Sequence, residues 1–162
     1  MKKIIFLLIV LSFSSCRYFN VSPVNGITTK DLTEEPLSKD FIGSWEVDKF
    51  SYDLIRENGY DLKKVKLDIK NNGSFEAINF PDFIDVFSEN ISKKNINTKG
   101  MWKIKKDFNE EKWGLQLDFE KSDLYKDGLS ISYDLYIQED KLILWSFIGD
   151  PDSGERFLFQ KE

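Results

Sequence analysis

Four sets of side chains in this 162-residue chain could do chemistry. They are the lone Cys16, the turn acids Asp150, Asp152 and Glu155, the trio Asp82, Asp85 and Glu89, and a family of large aromatics spaced two apart. One Cys cannot form an internal disulfide or a Cys-rich zinc site. The chain has no His, which removes the imidazole base, the Ser-His-Asp triad, the His metal ligand and the imidazole pH switch. Carboxylates are the main acid–base route left. Asp82, Asp85 and Glu89 fall on one side of a helix-spaced stretch, with no second group converging on them, and read as a solvated face. Asp150, Asp152 and Glu155 cluster oxygens around a turn, as Ca²⁺ would require, but lack the third Asp and the distant Glu of an EF-hand loop. They read as a polar hairpin loop set by Asp150-Pro151 and Gly154. No enzyme activity, metal site or cofactor is therefore expected.

The context of Cys16 is more informative. Lys2 and Lys3 precede an apolar run from Ile4 to Phe13, and Ser14 and Ser15 lead into the Cys. Ten apolar residues extend about 15 Å as a helix, half of a roughly 30 Å hydrocarbon core, so the run reads as a secretion signal and not a span. Phe13-Ser14-Ser15-Cys16 resembles the lipobox of bacterial lipoproteins, with Phe13 where Leu is usual. The resemblance implies cleavage before Cys16, diacylglycerol on its sulfur and a membrane anchor; two or three acyl chains suffice for stable attachment. Residues 1–15 are then a signal peptide, and 16–39, with no sustained period, form the lipidated Cys and a flexible tether. Residues 40–162 form the folded domain. Removing the signal peptide takes two Lys and no acid, which moves the net charge from −5 to −7. That argues against a nucleic-acid partner. A local basic patch, Lys93, Lys94, Lys99, Lys103, Lys105 and Lys106, reads as a solvated strand face. The expected location is the cell envelope, on the periplasmic face of the outer membrane.

From Asp40 onward the apolar period is 2. Trp45 and Val47, Val65 to Ile69, Phe75 and Ala77, Trp102 and Ile104, Trp113 to Phe119, and Ile131 to Ile137 each alternate with polar residues. Asn72-Gly73 and Glu139-Asp140 mark tight turns. Lys141–Ile148 is apolar on both faces, and the last run is Glu155–Lys161. Pro81–Phe87 has helical spacing with Pro81 suited to the first helical position, and Ser51–Asn58 before Gly59 could be another helical turn. The pattern predicts an all-β domain of about eight antiparallel strands with one short helix, closed as a barrel; a two-sheet sandwich is the alternative.

Phe41-Ile42-Gly43-Ser44-Trp45 resembles the Gly-x-Trp motif that opens lipocalins and their calycin relatives, and Gly100-Met101-Trp102 repeats it. With the Asn72–Phe75 hairpin, residues 40–162 are similar to the small lipocalin-like domains of Bacteroidota lipoproteins. The resemblance implies that Gly43 and Trp45 close one barrel end, with an Arg of the last strand across the Trp ring; Arg156 is the candidate. The Thr-Asp-Tyr motif of true lipocalins and the Arg-x-Tyr clamp of fatty-acid-binding proteins are absent. Trp45, Phe75, Trp102, Trp113, Tyr133 and Phe157 are the candidate pocket lining for a small hydrophobic or amphipathic ligand, or else they fill the barrel. The leading expectation is ligand binding. The alternative is an envelope interaction or assembly lipoprotein, whose outer surface includes Ile143, Trp145 and Phe147.

Overall fold

The computed structural model describes residues 29–32, 34–61, 63–82, 94–106, 112–121, 127–148 and 154–162. The elements are β1 (Lys30–Asp31), α1 (Ser38–Phe41), β2 (Gly43–Val47), α2 (Lys49–Glu57), β3 (Lys66–Ile69), β4 (Ser74–Pro81), β5 (Asn95–Lys106), β6 (Trp113–Phe119), β7 (Leu129–Gln138), β8 (Lys141–Phe147) and β9 (Arg156–Lys161). Strands β2 to β9 pair antiparallel in chain order, and β9 returns to pair with β2. The result is a closed eight-stranded, lipocalin-like barrel. Hydrogen bonding runs right round it, so the sandwich alternative falls. Closure leaves no long edge for another chain to pair with.

Register follows from period 2. Trp45 faces Leu67, Leu67 faces Ala77, Phe75 faces Gly100, Leu115 faces Tyr133, and Leu144 faces Phe159. The side chains of these pairs point inward; on β2 to β7 their neighbours in sequence are mostly polar or charged and face outside, whereas on β8 and β9 Ile143, Trp145 and Leu158 are apolar there too. The two-residue turn Glu139–Asp140 has both residues at positive φ, as a tight hairpin requires.

Strand β4 departs from simple pairing. Ala77 faces Thr98 but Phe80 faces Ile96, so Ile78 and Asn79 together oppose Asn97. Asn79 sits at φ 55°, and its N–H donates to Asn97 Oδ1 at 2.9 Å. This is a bulge stabilised by a side chain. Pro81, expected to start a helix, is instead the last residue of β4, opposite Asn95. The bulge shifts the chain enough for the ladder to continue to the Pro. The rest of that expected helix, 83–87, lies outside the described residues.

The longer helix is α2, where the sequence suggested a turn at 51–58. Asp48 accepts from Ser51 N at 2.8 Å as its N-cap, and Gly59 follows it at φ 81°. Its Leu54 and Ile55 enter the same core as the barrel interior. They close the end at which β2 finishes. At the other end, α1 presents Phe41, whose ring lies 5.8 Å from that of Trp102. The chain also reaches the barrel before residue 40. Lys30 and Asp31 pair with Ile137 and Tyr136, extending the β7 edge beyond the last β6 partner, Asp134.

Candidate functional surfaces

All six candidate pocket residues pack against the barrel's own side chains, Trp102 and Trp113 from its partly buried margin. Phe75 meets Phe119 edge-on at 4.9 Å, and Tyr133 meets Phe159 at 5.7 Å. Phe157 lies 5.2 Å from Phe159, which stacks on Phe80 at 5.5 Å. Trp45 is buried, and its Nε1 donates to the Phe41 carbonyl at 2.7 Å. Trp102 Nε1 donates to the Lys70 carbonyl at 2.9 Å. The two indole handles that a ligand could use are thus engaged with backbone. Trp113, partly buried, lies at the start of β6 with the Lys106 ammonium 5.6 Å over its ring.

Both Gly-x-Trp motifs have a steric reason. A Cβ on Gly100 would collide with the Asp118 carbonyl and come within 2.9 Å of the Phe75 ring. Gly43, at φ 130°, leaves room for the Lys161 side chain. The two motifs converge on Phe41, which sits between Trp45 and Trp102.

The cation over Trp45 is not Arg156. It is Lys161, whose ammonium lies 5.8 Å from the Trp45 centroid and donates to the Asp40 carbonyl at 3.0 Å. Antiparallel pairing dictates this exchange. Trp45, near the start of β2, must face the end of β9, and its register partner is Lys161. Arg156 starts β9 and lies about 16 Å along the strand. The direction of the last strand was a sufficient signal for choosing Lys161.

Arg156 instead occupies the outer wall. Its guanidinium is 4.0 Å from the Phe50 ring centroid and 4.8 Å from that of Trp145, with an Nη2–Asp48 Oδ2 distance of 3.8 Å. Burial pulls its pKa down, and Asp48 offsets this in part. Asp48 also accepts from Ser51 N and Ser51 Oγ through Oδ1, and Ser51 Oγ accepts from Leu158 N at 2.9 Å. This chain of contacts fastens α2 to β9. Around it lies a second apolar cluster, Ile143, Trp145 and Leu158 with Tyr136 and Phe147, on the face of β8 and β9 opposite the core. The two-faced apolar character of Lys141–Ile148 therefore reports an inner core and an outer one. Asp48 and Phe50 carried no sequence signal, since they join this cluster only through the α2 turn.

Asp82, expected on a solvated face, is 4% exposed and accepts from Tyr60 Oη at 2.5 Å. The ladder through Pro81 draws it inward. Asp85, Glu89, Asp150 and Asp152 lie outside the described residues, as do Cys16 and Lys93. Among the described residues no group of three or more His, Cys, Asp or Glu is placed to hold a metal ion. Within the basic patch, Lys103 pairs with Asp118 at 3.0 Å and Lys99 with Glu120 at 3.5 Å. Hydrogen bonds from Ser130, then Gln116 and Lys103, hold Asp118 below the usual carboxylate range. A further ion cluster joins Glu46, Lys64, Lys66 and Glu162 across β2, β3 and the end of β9.

Among the described residues the barrel surface carries several grooves. One of about 510 Å³ lies by the β4 bulge, among Ala77, Ile78, Asn97 and Thr98. Another, about 660 Å³, lies between the 32–40 stretch and the β7–β8 hairpin, lined by Leu32, Pro36, Leu37, Ile137 and Leu142 together with charged residues of both segments. Compared with protein-family models, curated proteins and solved structures, the chain matches none.

Proposed function

We propose that this protein is a lipid-anchored, non-catalytic module of the cell envelope that works through the outside of its barrel, as an interaction or assembly lipoprotein. The carrying observation is the state of the interior. Phe75, Phe80, Phe119, Tyr133, Phe157 and Phe159 meet ring to ring, and Phe41 and the α2 residues Leu54 and Ile55 stop the two ends. A barrel occupied by its own side chains leaves its outer surface as the part available for recognition. The anchor reading rests on the Met1–Cys16 pattern, and the periplasmic face of the outer membrane is its proposed site.

Photo-crosslinking in intact envelopes, from probes placed around the wall, tests the interaction reading. A discrete crosslinked partner is expected, and none from any wall position would sink the idea. Incorporation of labelled palmitate, abolished by Cys16→Ala, checks the anchor separately.

The groove beside the β7–β8 hairpin favours a second reading, binding of a small amphipathic ligand. Its volume falls within the roughly 300–1,000 Å³ of small-molecule sites, and its lining combines apolar and charged residues, as an amphipathic ligand needs. Native mass spectrometry of the purified chain separates the two: a co-purifying molecule favours the groove, and bare protein favours the wall.

A further inference from the structure

Two donors on the outer wall are buried and have no hydrogen-bond partner among the described residues: Trp145 Nε1 and Arg156 Nε. Each such N–H has lost its water and gained nothing in exchange, which buried polar groups rarely tolerate. The two side chains are diagonal neighbours on one face of the β8–β9 ladder, where Trp145 faces Leu158 and Phe147 faces Arg156. Among the described residues the guanidinium has no close counter-ion either. Asp48 is its one ion-pair partner among the described residues, at 3.8 Å, and the other oxygen of that carboxylate is committed to Ser51. Over the guanidinium sits Phe50, 40% exposed, on the first turn of α2.

We propose that Trp145 and Arg156 form a carboxylate-binding site beneath Phe50, a site that rests on the wall being the working surface. The fork of Arg156 presents Nε and a terminal nitrogen side by side, the arrangement that takes both oxygens of a carboxylate. The Trp145 N–H supplies a third donor. Phe50, Trp145 and Phe147 wall the site with rings, so an apolar carboxylate fits better than a hydrated phosphate. Occupancy requires Phe50 to swing out, which its exposed position on α2 allows. The carboxylate can come from a peptide terminus, an acidic side chain or a free small acid; the chemistry recognised is the same.

The test is the Trp145 indole N–H resonance of the full chain in neutral detergent, assigned among the four Trp by its loss in Trp145→Phe. Benzoate should shift it saturably while the other three stay in place, and benzamide and inorganic phosphate should leave it unmoved. Arg156→Lys should weaken benzoate about tenfold, because charge survives and the fork does not. Phe50→Ala, which leaves Arg156 and Trp145 intact, should tighten it. An unmoved resonance in both wild type and Phe50→Ala overturns the site. An equal response to benzamide reduces it to an apolar cleft, and an equal response to phosphate to a general anion site; either result overturns the carboxylate assignment. A crosslinked partner retained in Arg156→Lys would keep the interaction reading while removing this site from it.

Discussion

Replacing Phe159 with Ala exposes the filled interior to a direct measurement. The ring is wholly buried. It stacks on Phe80 at 5.5 Å and meets Phe157 at 5.2 Å and Tyr133 at 5.7 Å. Losing the transfer free energy of the ring costs about 2–3 kcal/mol. The strands around it are tied on both sides by the closed ladder and cannot collapse into the space, so a cavity term adds to that. The sum is about 3–5 kcal/mol, or a fall of roughly 10–20 °C in Tm for a domain of this size. Urea unfolding at unchanged m reads the first quantity and a thermal melt the second. The ring-sized void should also take up benzene, which should raise the Tm of the variant and not that of the wild type. Met101→Ala, at an exposed site, is the control and should stay within about 0.5 kcal/mol. A cost for Phe159→Ala below about 1 kcal/mol would refute the packing argument, because it would mean that open space already adjoins the ring.

Three further outcomes follow from single contacts. Gly100→Ala drives a methyl into the Asp118 backbone, so little folded protein should be recovered; a stable variant with wild-type circular dichroism counts against the tight β5–β6 approach. Asp48→Ala removes the α2 N-cap and the counter-charge of Arg156 and should cost about 1–2 kcal/mol in urea unfolding, with no measurable loss contradicting the stapling role. Asp118 and Asp53 have folded pKa values lowered from 3.8. A depressed carboxylate contributes stability that is present above its unfolded pKa and lost as pH falls through the folded one. The melting temperature should therefore hold from neutral pH to about 5 and drop below about 4, with Asp118→Asn softening the drop. A Tm that rises below pH 4 reverses the sign and refutes the assignment.

The features of this protein that depend on local order along the chain were legible in its amino-acid pattern. Alternation at Val65–Ile69, Trp113–Phe119 and Ile131–Ile137 requires a strand with one wet face wherever it occurs, and the eight strands and their tight turns could be read directly. Near neighbours along the chain set those features, so no distant contact was needed to see them. The two-sided apolar run at Leu142–Phe147 likewise announced a second buried face. Two features depend instead on pairing across the sheet, which the order of residues along one strand does not carry. The direction of β9 decides that Lys161 and not Arg156 meets Trp45, and the β4 ladder carries Asp82 inward against Tyr60.

Tertiary structure alone decided whether the aromatics line a space or fill it. Six rings at period 2 serve either purpose, and only the distances between strands far apart in sequence, such as Phe80 on β4 to Phe159 on β9, distinguish them. The same holds for the wall. Arg156 is one basic residue at the start of a strand until α2 folds back and lays Phe50 and Asp48 against it. Period and composition report which residues leave water; which partners they then meet depends on closure of the barrel, which joins strands about a hundred residues apart.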